Sequence, residues 1–371
     1  MPLIIPIFIM HQGCPHRCIF CNQQKTVGPY PKDVSGAFFR QTVISHLQHI
    51  KRKPDQVQIA FYGGNFTGME KQDQTRLLMY AKPFLDEGSV SAVRISTRPD
   101  CIDQERLDLL KRYGVQIVEI GAQSLVDDVL KRADRGHAAT DVENAVQLLK
   151  ANGFEVGIHL MAGLPGDDRE GFSCSVDRTI ALQPQTVRIH PTLVFTGTQL
   201  ERDYRNGRYE PLMLDEAVLL CKSALLKFAA ARIPVIRIGL QTTPEMEKRG
   251  TVIAGPYHPA FRFLVESSIF FDRASSLLSR GDFQKKAVVF SVCPKEQSAF
   301  RGLKNGNMRT LQNRFGLSGI RVFPDAAQPS GTLHVRCGEQ ASPHYPVDDI
   351  EKTDIIRRKC CLLYTSPSPR D

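Results

Sequence analysis

The regular alternation of short apolar runs with helical segments is the feature that most limits what this chain can fold into. Seven such runs occur before about residue 240, and they are rich in β-branched residues. Nearly continuous apolar runs of this length are typical of parallel strands that are covered on both faces. The predicted strands are LIIPIFIM (3–10), VQIAFYGG (57–64), SAVRIS (91–96), VQIVEIG (115–121), FEVGIHL (154–160), TVRIHP (186–191) and PVIRIG (234–239).

The segments between these strands carry helix start and stop patterns. Asp103 precedes a helical pattern that stops at Gly114, and the sequence TDVE (140–143) predicts a capping box for a helix ending before Gly153. Strands and helices in alternation predict an α/β fold with a parallel sheet, here a partial or full β/α barrel. Glycine-rich and polar sequences follow most strands, where such barrels place their active sites.

The sequence changes character after about residue 245. We therefore predict a barrel domain over residues 1–245 and a smaller basic α+β domain over 246–355. Between Asp272 and Phe323 there are ten Lys or Arg residues against three Asp or Glu, so the net charge of +9 is concentrated there. This excess fits either a solvated surface or an RNA-binding face. Aromatic residues are too sparse in this region, and too often at core spacing, to support base stacking.

Cysteine usage and hydropathy predict a cytoplasmic protein with no membrane span. Most of the ten cysteines are scattered, as is usual in a reducing compartment. The opening run MPLIIPIFIM lacks a basic start and a cleavage site, so we interpret it as a strand and not as a signal peptide. Residues 360–371 fit neither domain and are interpreted as a non-native tail, which leaves Cys360 and Cys361 without an assigned role.

Three cysteines lie within eight residues directly after the first predicted strand. They are Cys14, Cys18 and Cys21, in the segment GCPHRCIFCNQ (13–23). Iron–sulfur clusters and structural zinc sites usually take four protein ligands, so three thiols leave one position open for catalysis. A zinc site completed by His11 or His16 is the alternative, and the position of the loop at the mouth of a predicted barrel favours the catalytic centre.

This loop resembles the signature of the radical S-adenosylmethionine superfamily, which has three cysteines at this spacing and an aromatic residue, here Phe20, before the last. The resemblance implies a 4Fe-4S cluster held by Cys14, Cys18 and Cys21, with S-adenosylmethionine chelating the remaining iron. It also implies reductive cleavage of that cofactor to a 5′-deoxyadenosyl radical that abstracts hydrogen. An external reductant such as flavodoxin or ferredoxin would supply the electron.

Further motifs extend the resemblance to the cofactor-binding residues. YGGN (62–65) is similar to the glycine motif of the superfamily and implies that Gly63, Gly64 and Asn65 lie against the methionine moiety; a plain β-turn is the alternative. Ser96 stands where related sequences tend to carry a glutamate near this moiety, so that contact is either absent or supplied by Thr97 or Arg98.

The segments GAQS (121–124) and LKRADRGH (130–137) are similar to those of the oxygen-independent coproporphyrinogen III oxidase and Elongator catalytic subunit groups. They imply that Gln123 lies near the ribose and that Arg135 pairs with the methionine carboxylate. Without the family, Arg135 would be interpreted as a solvated charge. His137 is given no catalytic role, and the roles of His190, Arg237 and His258 stay open.

The closest resemblance is to the Elongator catalytic subunit group, through YGGNFTG, STRPD, MAGLPGD and AGPYHPAFR. It spans most of residues 5–335 and leaves no room for an acetyltransferase domain. The resulting hypothesis is a radical S-adenosylmethionine enzyme that acts on tRNA, bound by its basic domain, or on a small molecule. A zinc-stabilised nucleic-acid-binding protein without redox chemistry is the alternative of a different class.

Overall fold

The computed structural model describes residues 2–49 and 56–338, which fall into two compact units. Of the described residues, the first unit comprises 2–49, 56–214 and 233–257, and the second comprises 215–232 and 258–338. The boundary that the sequence places between residues 245 and 246 remains a prediction. The segments 339–355 and 360–371, with the last two cysteines, lie outside the described residues.

A seven-stranded parallel sheet forms the frame of the first unit. Its strand order follows the chain, β1-β2-β3-β4-β5-β6-β8, and all neighbours are parallel. The strands of this unit are β1 (Leu3–Phe8), β2 (Val57–Tyr62), β3 (Ala92–Thr97), β4 (Val115–Gln123), β5 (Glu155–Ala162), β6 (Thr186–Pro191), β7 (Val194–Phe195), β8 (Val235–Ile238) and β9 (Val252–Ala254).

The sheet is a curled half-barrel, because β1 and β8 lie at its two edges and do not pair. This confirms the predicted parallel α/β barrel fold in its partial form. All seven predicted strands are present, with boundaries shifted by at most two residues. The antiparallel pair of β7 and β9 was missed by the sequence prediction, since strands of two and three residues show no hydrophobic periodicity.

Helices connect the strands of the first unit. They are α1 (Gln23–Val27), α2 (Gly36–Gln48), α3 (Lys71–Asp86), α4 (Gln104–Arg112), α5 (Asp127–Arg132), α6 (Ala139–Ala151), α7 (Arg169–Ala181), α8 (Gln199–Arg205) and α10 (Pro244–Glu247), with α9 (Leu214–Ala230) of the second unit between the last two. Asp103 caps α4 as predicted, since its Oδ1 accepts from the Arg106 amide at 2.9 Å. The predicted capping box at 140–143 is wrong: Asp141 instead accepts from the amide of Ala138, at 2.7 Å.

The second unit is an α+β arrangement with its own core. It contains α9 (Leu214–Ala230), α11 (Phe261–Ser279), α12 (Gln297–Arg301), α13 (Gly306–Arg314), β10 (Ala287–Val292), β11 (Gly319–Pro324) and β12 (Leu333–Cys337). The strand β10 lies between a parallel β11 and an antiparallel β12. Phe290 and Phe300 are fully buried in its core, whereas Phe323 is 52 % exposed. None of the helices in the described ranges combines the length and the apolar character needed to cross a bilayer.

Candidate active site

A cavity of about 520 Å³ opens where the strands of the half-barrel end, and all its lining residues belong to the first unit. This volume lies in the usual range for small-molecule sites. Nine of the ten residues singled out from the sequence line it; they are Cys14, Cys18, Phe20, Cys21, Gly63, Gly64, Ser96, Gln123 and Arg135. The tenth, Asn65, lies beneath the cysteine loop.

The side chain of Asn65 connects the cysteine loop to the end of β3. It is fully buried. Its Nδ2 donates to the Gly13 carbonyl at 2.8 Å and to the Cys101 sulfur at 3.2 Å. Its Oδ1 accepts from the Thr97 hydroxyl at 2.6 Å and from the Arg98 amide at 3.0 Å. Both polar atoms of the Asn65 side chain form hydrogen bonds within the protein, so this side chain positions the loop. Its contact with a cofactor remains a prediction.

Two glycines allow the loop and the YGGN turn to pack backbone against backbone. Gly13 has φ +70°, and a Cβ there would lie 2.1 Å from the Asn65 carbonyl oxygen. Gly64 has φ +61°, and a Cβ would lie 2.5 Å from the Gln12 carbonyl oxygen. Neither position can accept a side chain without moving the backbone.

Replacing Gly64 with alanine is therefore expected to destabilise the fold by roughly 3 kcal/mol or more, from left-handed strain plus backbone overlap. Gly88 is the matched control, because it has φ +71° and a Cβ added there would have no atom within 4 Å. Its alanine variant should lose only about 1 kcal/mol. Urea unfolding measures the loss of unfolding free energy in both variants. Equal losses would show that the backbone moves to relieve the overlap at Gly64 without a further loss of stability.

Gln23 is a site residue that sequence reasoning missed. Its Oε1 accepts from the His11 amide at 2.6 Å and from the Gly64 amide at 3.1 Å. It thereby joins the end of the cysteine loop to the YGGN turn. A single glutamine shortly after a cysteine belongs to no recognisable sequence pattern, so nothing in the sequence indicated this role.

The three cysteines are half-buried free thiols that line the cavity. Burial, with the nearby sulfurs of Cys18 and Cys14, raises the pKa of Cys21 to about 12. Burial raises the pKa of Cys14 as well. Such thiols become thiolates when a metal supplies compensating positive charge.

The two histidines of the zinc alternative already have partners. The Nε2 of His16 lies 2.8 Å from the Asp134 carbonyl oxygen, and the Nε2 of His11 accepts from the Gln23 amide at 3.4 Å. Across the described part of the chain, no three His, Cys, Asp or Glu side chains already converge on a metal position.

Arg135 connects the cysteine loop to the end of β4. Its Nη1 donates to the Cys18 sulfur at 3.0 Å, and its Nη2 donates to the Gly121 carbonyl. Its Nε is buried and has no hydrogen-bond partner among the described residues. A guanidinium with this spare donor, next to three thiols, fits an anionic iron–sulfur centre and a carboxylate-bearing cofactor.

The wall of the cavity is strongly basic. It contains five arginines, and the described residues that line it include no aspartate or glutamate. These arginines are Arg17, Arg98, Arg135, Arg188 and Arg237. The cavity at the strand ends of the parallel half-barrel thus brings three thiols together with five guanidinium groups, a set of side chains that fits a metal–sulfur centre and a ligand that carries a carboxylate.

Family comparison agrees with this geometry. Residues 8–173 match the model of the radical SAM superfamily, and residues 184–270 match that of the radical SAM C-terminal domain. Together the two matches cover well over half of the chain. The chain belongs to the radical SAM superfamily, as its cysteine loop predicted.

Individual relatives lie in the Elongator-related group. The chain is 26 % identical over 254 residues to a tRNA uridine(34) acetyltransferase of Methanocaldococcus infernus, a match covering 58 % of this chain and 47 % of that protein. It is 31 % identical over 188 residues to Elongator complex protein 3 of Schizosaccharomyces pombe, covering 45 % and 34 % respectively. The chain thus spans about half the length, or less, of these curated relatives.

A solved structure supports the fold. The archaeal Elp3 of Methanocaldococcus infernus, with an N-terminal deletion, superposes with a TM-score of 0.56 at 23 % identity, covering 72 % of this chain and 62 % of that one. The predicted resemblance to the Elongator catalytic subunit group is confirmed by these relatives.

Proposed function

We propose that this chain is an iron–sulfur enzyme that cleaves S-adenosylmethionine reductively and uses the product to abstract hydrogen from a substrate. The observation that carries the proposal is the common cavity, which Cys14, Cys18 and Cys21 line together with Arg135 and the YGGN turn. When bound, a 4Fe-4S cluster and S-adenosylmethionine would supply a 5′-deoxyadenosyl radical from one electron of an external reductant.

The residues of the chain hold and orient these groups. The three cysteines would ligate the cluster as thiolates. Arg135 would pair with the methionine carboxylate through its guanidinium group. Gly63 and Gly64 would let the backbone approach the methionine moiety, because neither has a Cβ.

Three further contacts complete the proposed cofactor site. Gln123 would contact the ribose, and Ser96 and Phe20 would lie against the cofactor from the cavity wall. The apolar part of that wall, which includes Met161 and Leu193, would exclude water from the reacting atoms.

Anaerobic reconstitution tests this function directly. The protein, treated with iron and sulfide, reduced with dithionite and given S-adenosylmethionine, is expected to be brown and to release 5′-deoxyadenosine and methionine. Chromatography of the nucleoside and a metal assay give the readouts. A colourless protein with one zinc per chain and no cleavage would instead support the zinc-stabilised nucleic-acid-binding protein.

We infer that tRNA is the substrate, bound by the second unit. One support is the exposed basic surface of that unit, to which Lys285, Lys286 and Lys304 contribute. The other is the similarity of the chain to a tRNA uridine(34) acetyltransferase. Clustered lysine and arginine give phosphate affinity that does not depend on base sequence. A small-molecule substrate is the alternative.

Charge reversal tests the RNA interface. Changing Lys285, Lys286, Arg301 and Lys304 to glutamate is expected to weaken tRNA binding by the anaerobic protein roughly tenfold or more at low salt. The matched control reverses four exposed basic residues of the first unit, namely Arg112, Lys131, Arg169 and Arg249. Equal binding by the two variants in a filter assay would exclude this surface as the RNA site.

A further inference from the structure

A glutamate and a histidine on neighbouring strands form a hydrogen-bonded pair inside the half-barrel. Nε2 of His159 on β5 lies 3.1 Å from Oε2 of Glu119 on β4. The same oxygen accepts from the Ser96 hydroxyl at 3.5 Å. The Glu119 side chain is 1 % exposed, whereas that of His159 is 20 % exposed and lines the cavity. The pair thus joins a buried carboxylate to an imidazole that a molecule in the cavity can reach.

Local packing holds the carboxylate beside the histidine. Glu119 lies opposite Gly157 in the register of β4 and β5. A Cβ on Gly157 would lie 3.0 Å from Cγ of Glu119, so the missing side chain leaves room for the glutamate. Arg94 of β3 donates to Oε1, and Oε1 also lies 3.0 Å from Nη2 of Arg188 on β6. With its other oxygen held in this way, Glu119 keeps Oε2 directed at His159.

The hydrogen bond to Glu119 determines which ring nitrogen of His159 carries the proton. An ionised carboxylate only accepts hydrogen bonds, so Nε2 is the donor and Nδ1 of the neutral ring carries a lone pair. Among the described residues, the ring of His159 forms no hydrogen bond besides this one. Nδ1 is therefore available to accept a hydrogen bond or a proton from a molecule in the cavity.

The surroundings keep this imidazole neutral at pH 7. Burial lowers the pKa of His159 below 6.5, Arg188 and Arg94 act in the same direction, and Glu119 opposes them only in part. The ring of His190, 5.7 Å away, has a pKa well below 6.5 as well, again mainly because of burial. A neutral imidazole backed by a carboxylate can take a proton, and the carboxylate then stabilises the imidazolium that forms.

We propose that His159 is a general base that takes a weakly acidic proton from the substrate, with Glu119 as its positioning residue. The proton moves to Nδ1 of His159, and the electron pair of the broken bond stays on the substrate, which becomes its conjugate base. No oxidant or reductant is needed for this step. The inference rests on the proposed function, since it adds a proton acceptor to the cavity in which the substrate loses hydrogen.

The test uses 5-nitrobenzisoxazole, a small planar probe of bases in protein cavities. A base removes its ring proton, the N–O bond breaks, a nitrile forms and a coloured phenolate is released. Turnover by the reconstituted protein, without S-adenosylmethionine, is followed by absorbance. We expect saturable turnover that rises with pH to a plateau, with a midpoint below pH 6.5, because His159 must be neutral to accept the proton.

His159→Gln identifies the base. Glutamine keeps an N–H donor for Glu119 but has no basic nitrogen, so turnover should fall roughly 100-fold or more. His49→Gln is the matched control, because His49 is an exposed histidine after α2 and lies outside the cavity. It should keep the turnover of the wild type.

The pH profile tests the positioning role of Glu119. Glu119→Gln removes the charge that raises the pKa of His159, so the midpoint of the profile should move to lower pH. The kcat for the probe should fall while its KM stays unchanged, because the imidazole loses its orientation and not its access to the cavity. A glutamate that only stabilised the fold would reduce the amount of folded protein and leave the midpoint in place.

Chemical modification of the wild type gives a measurement that needs no variant. Diethyl pyrocarbonate acylates neutral imidazoles, and mass spectrometry locates the modified residues. Loss of turnover should follow modification of His159 and should be reversed by hydroxylamine. Full loss of turnover with His159 unmodified would contradict the proposal.

The outcomes separate this inference from the proposed function. If the wild type shows no saturable turnover, or if His159→Gln turns over the probe as fast as His49→Gln, His159 is not a general base. A rate that keeps rising above pH 8 would also overturn the proposal, since a thiol of the cavity would then be the base. Iron content and release of 5′-deoxyadenosine, measured on the same samples, report on the proposed function independently.

Discussion

Replacing Cys18 with alanine is expected to remove the iron–sulfur centre and with it the cleavage of S-adenosylmethionine. The chain offers three thiols on one loop, so two would remain for a cluster that needs three protein ligands in this family. The iron content should fall from about four atoms per chain to near zero. Formation of 5′-deoxyadenosine should fall more than about 100-fold, since loss of partners outside the ligand sphere already costs roughly 10- to 100-fold.

Cys174→Ala is the control for this experiment, because Cys174 is an exposed cysteine on α7, outside the cavity. It should keep its iron and its activity after the same reconstitution. Iron assay, the visible absorption spectrum and chromatography of the nucleoside are the measurements. Retention of both cluster and cleavage by Cys18→Ala would contradict the assignment of the three ligands.

The order of the strands and the place of the cysteine loop could be predicted from the sequence. Most residues of the parallel strands are apolar and buried, so the strands stand out in the sequence against the helical segments. The loop was found because three cysteines at fixed spacing are rare by chance and follow β1 directly. Helix starts were harder to predict, as α6 shows. Ala138, the residue before this helix, has no polar side chain, and its backbone amide donates to the carboxylate of Asp141 at the third helical position.

The contacts inside the half-barrel could not be predicted from the sequence. Charged residues interrupt several of the apolar runs, as Arg94, Glu119 and Arg188 do, and these interruptions can be read directly from the sequence. Which of them meet depends on strand register and on the curl of the sheet, which bring residues of β3, β4 and β6 to one point. The role of Asn65 depends in the same way on partners from two separate segments, Gly13 in the cysteine loop and Thr97, Arg98 and Cys101 at and after the end of β3.

Replacing Glu119 with glutamine is expected to cause the largest loss of stability in the barrel. The substitution keeps the volume and removes the negative charge that faces Arg94 and Arg188, whose side chains are 6 % and 8 % exposed. Removing one partner of a buried ion pair typically costs about 3–5 kcal/mol, because the other charge stays buried without compensation. Urea unfolding at pH 7 measures the change in the free energy of unfolding.

Glu143→Gln is the matched control. Glu143 accepts from Arg178 at 2.7 Å, but both side chains are about one-third exposed. Water screens such a pair, so the loss should stay below about 1 kcal/mol. If the two glutamine variants were equally stable, the charges of Arg94 and Arg188 would have to be compensated by groups other than Glu119.

The dependence on pH gives a second check on Glu119. Burial by itself raises the pKa of this carboxyl, but Arg188, Arg94 and the hydrogen bond from His159 outweigh it and hold the pKa well below its usual 4.5. A carboxyl whose pKa is lower in the folded state stabilises the protein above its unfolded pKa, and this contribution is lost as the pH falls further. The stability gap between wild type and Glu119→Gln should therefore be full at pH 7 and narrow progressively below about pH 4.5. A gap that stayed constant down to pH 3 would mean that the ionised carboxylate is not what the two arginines require.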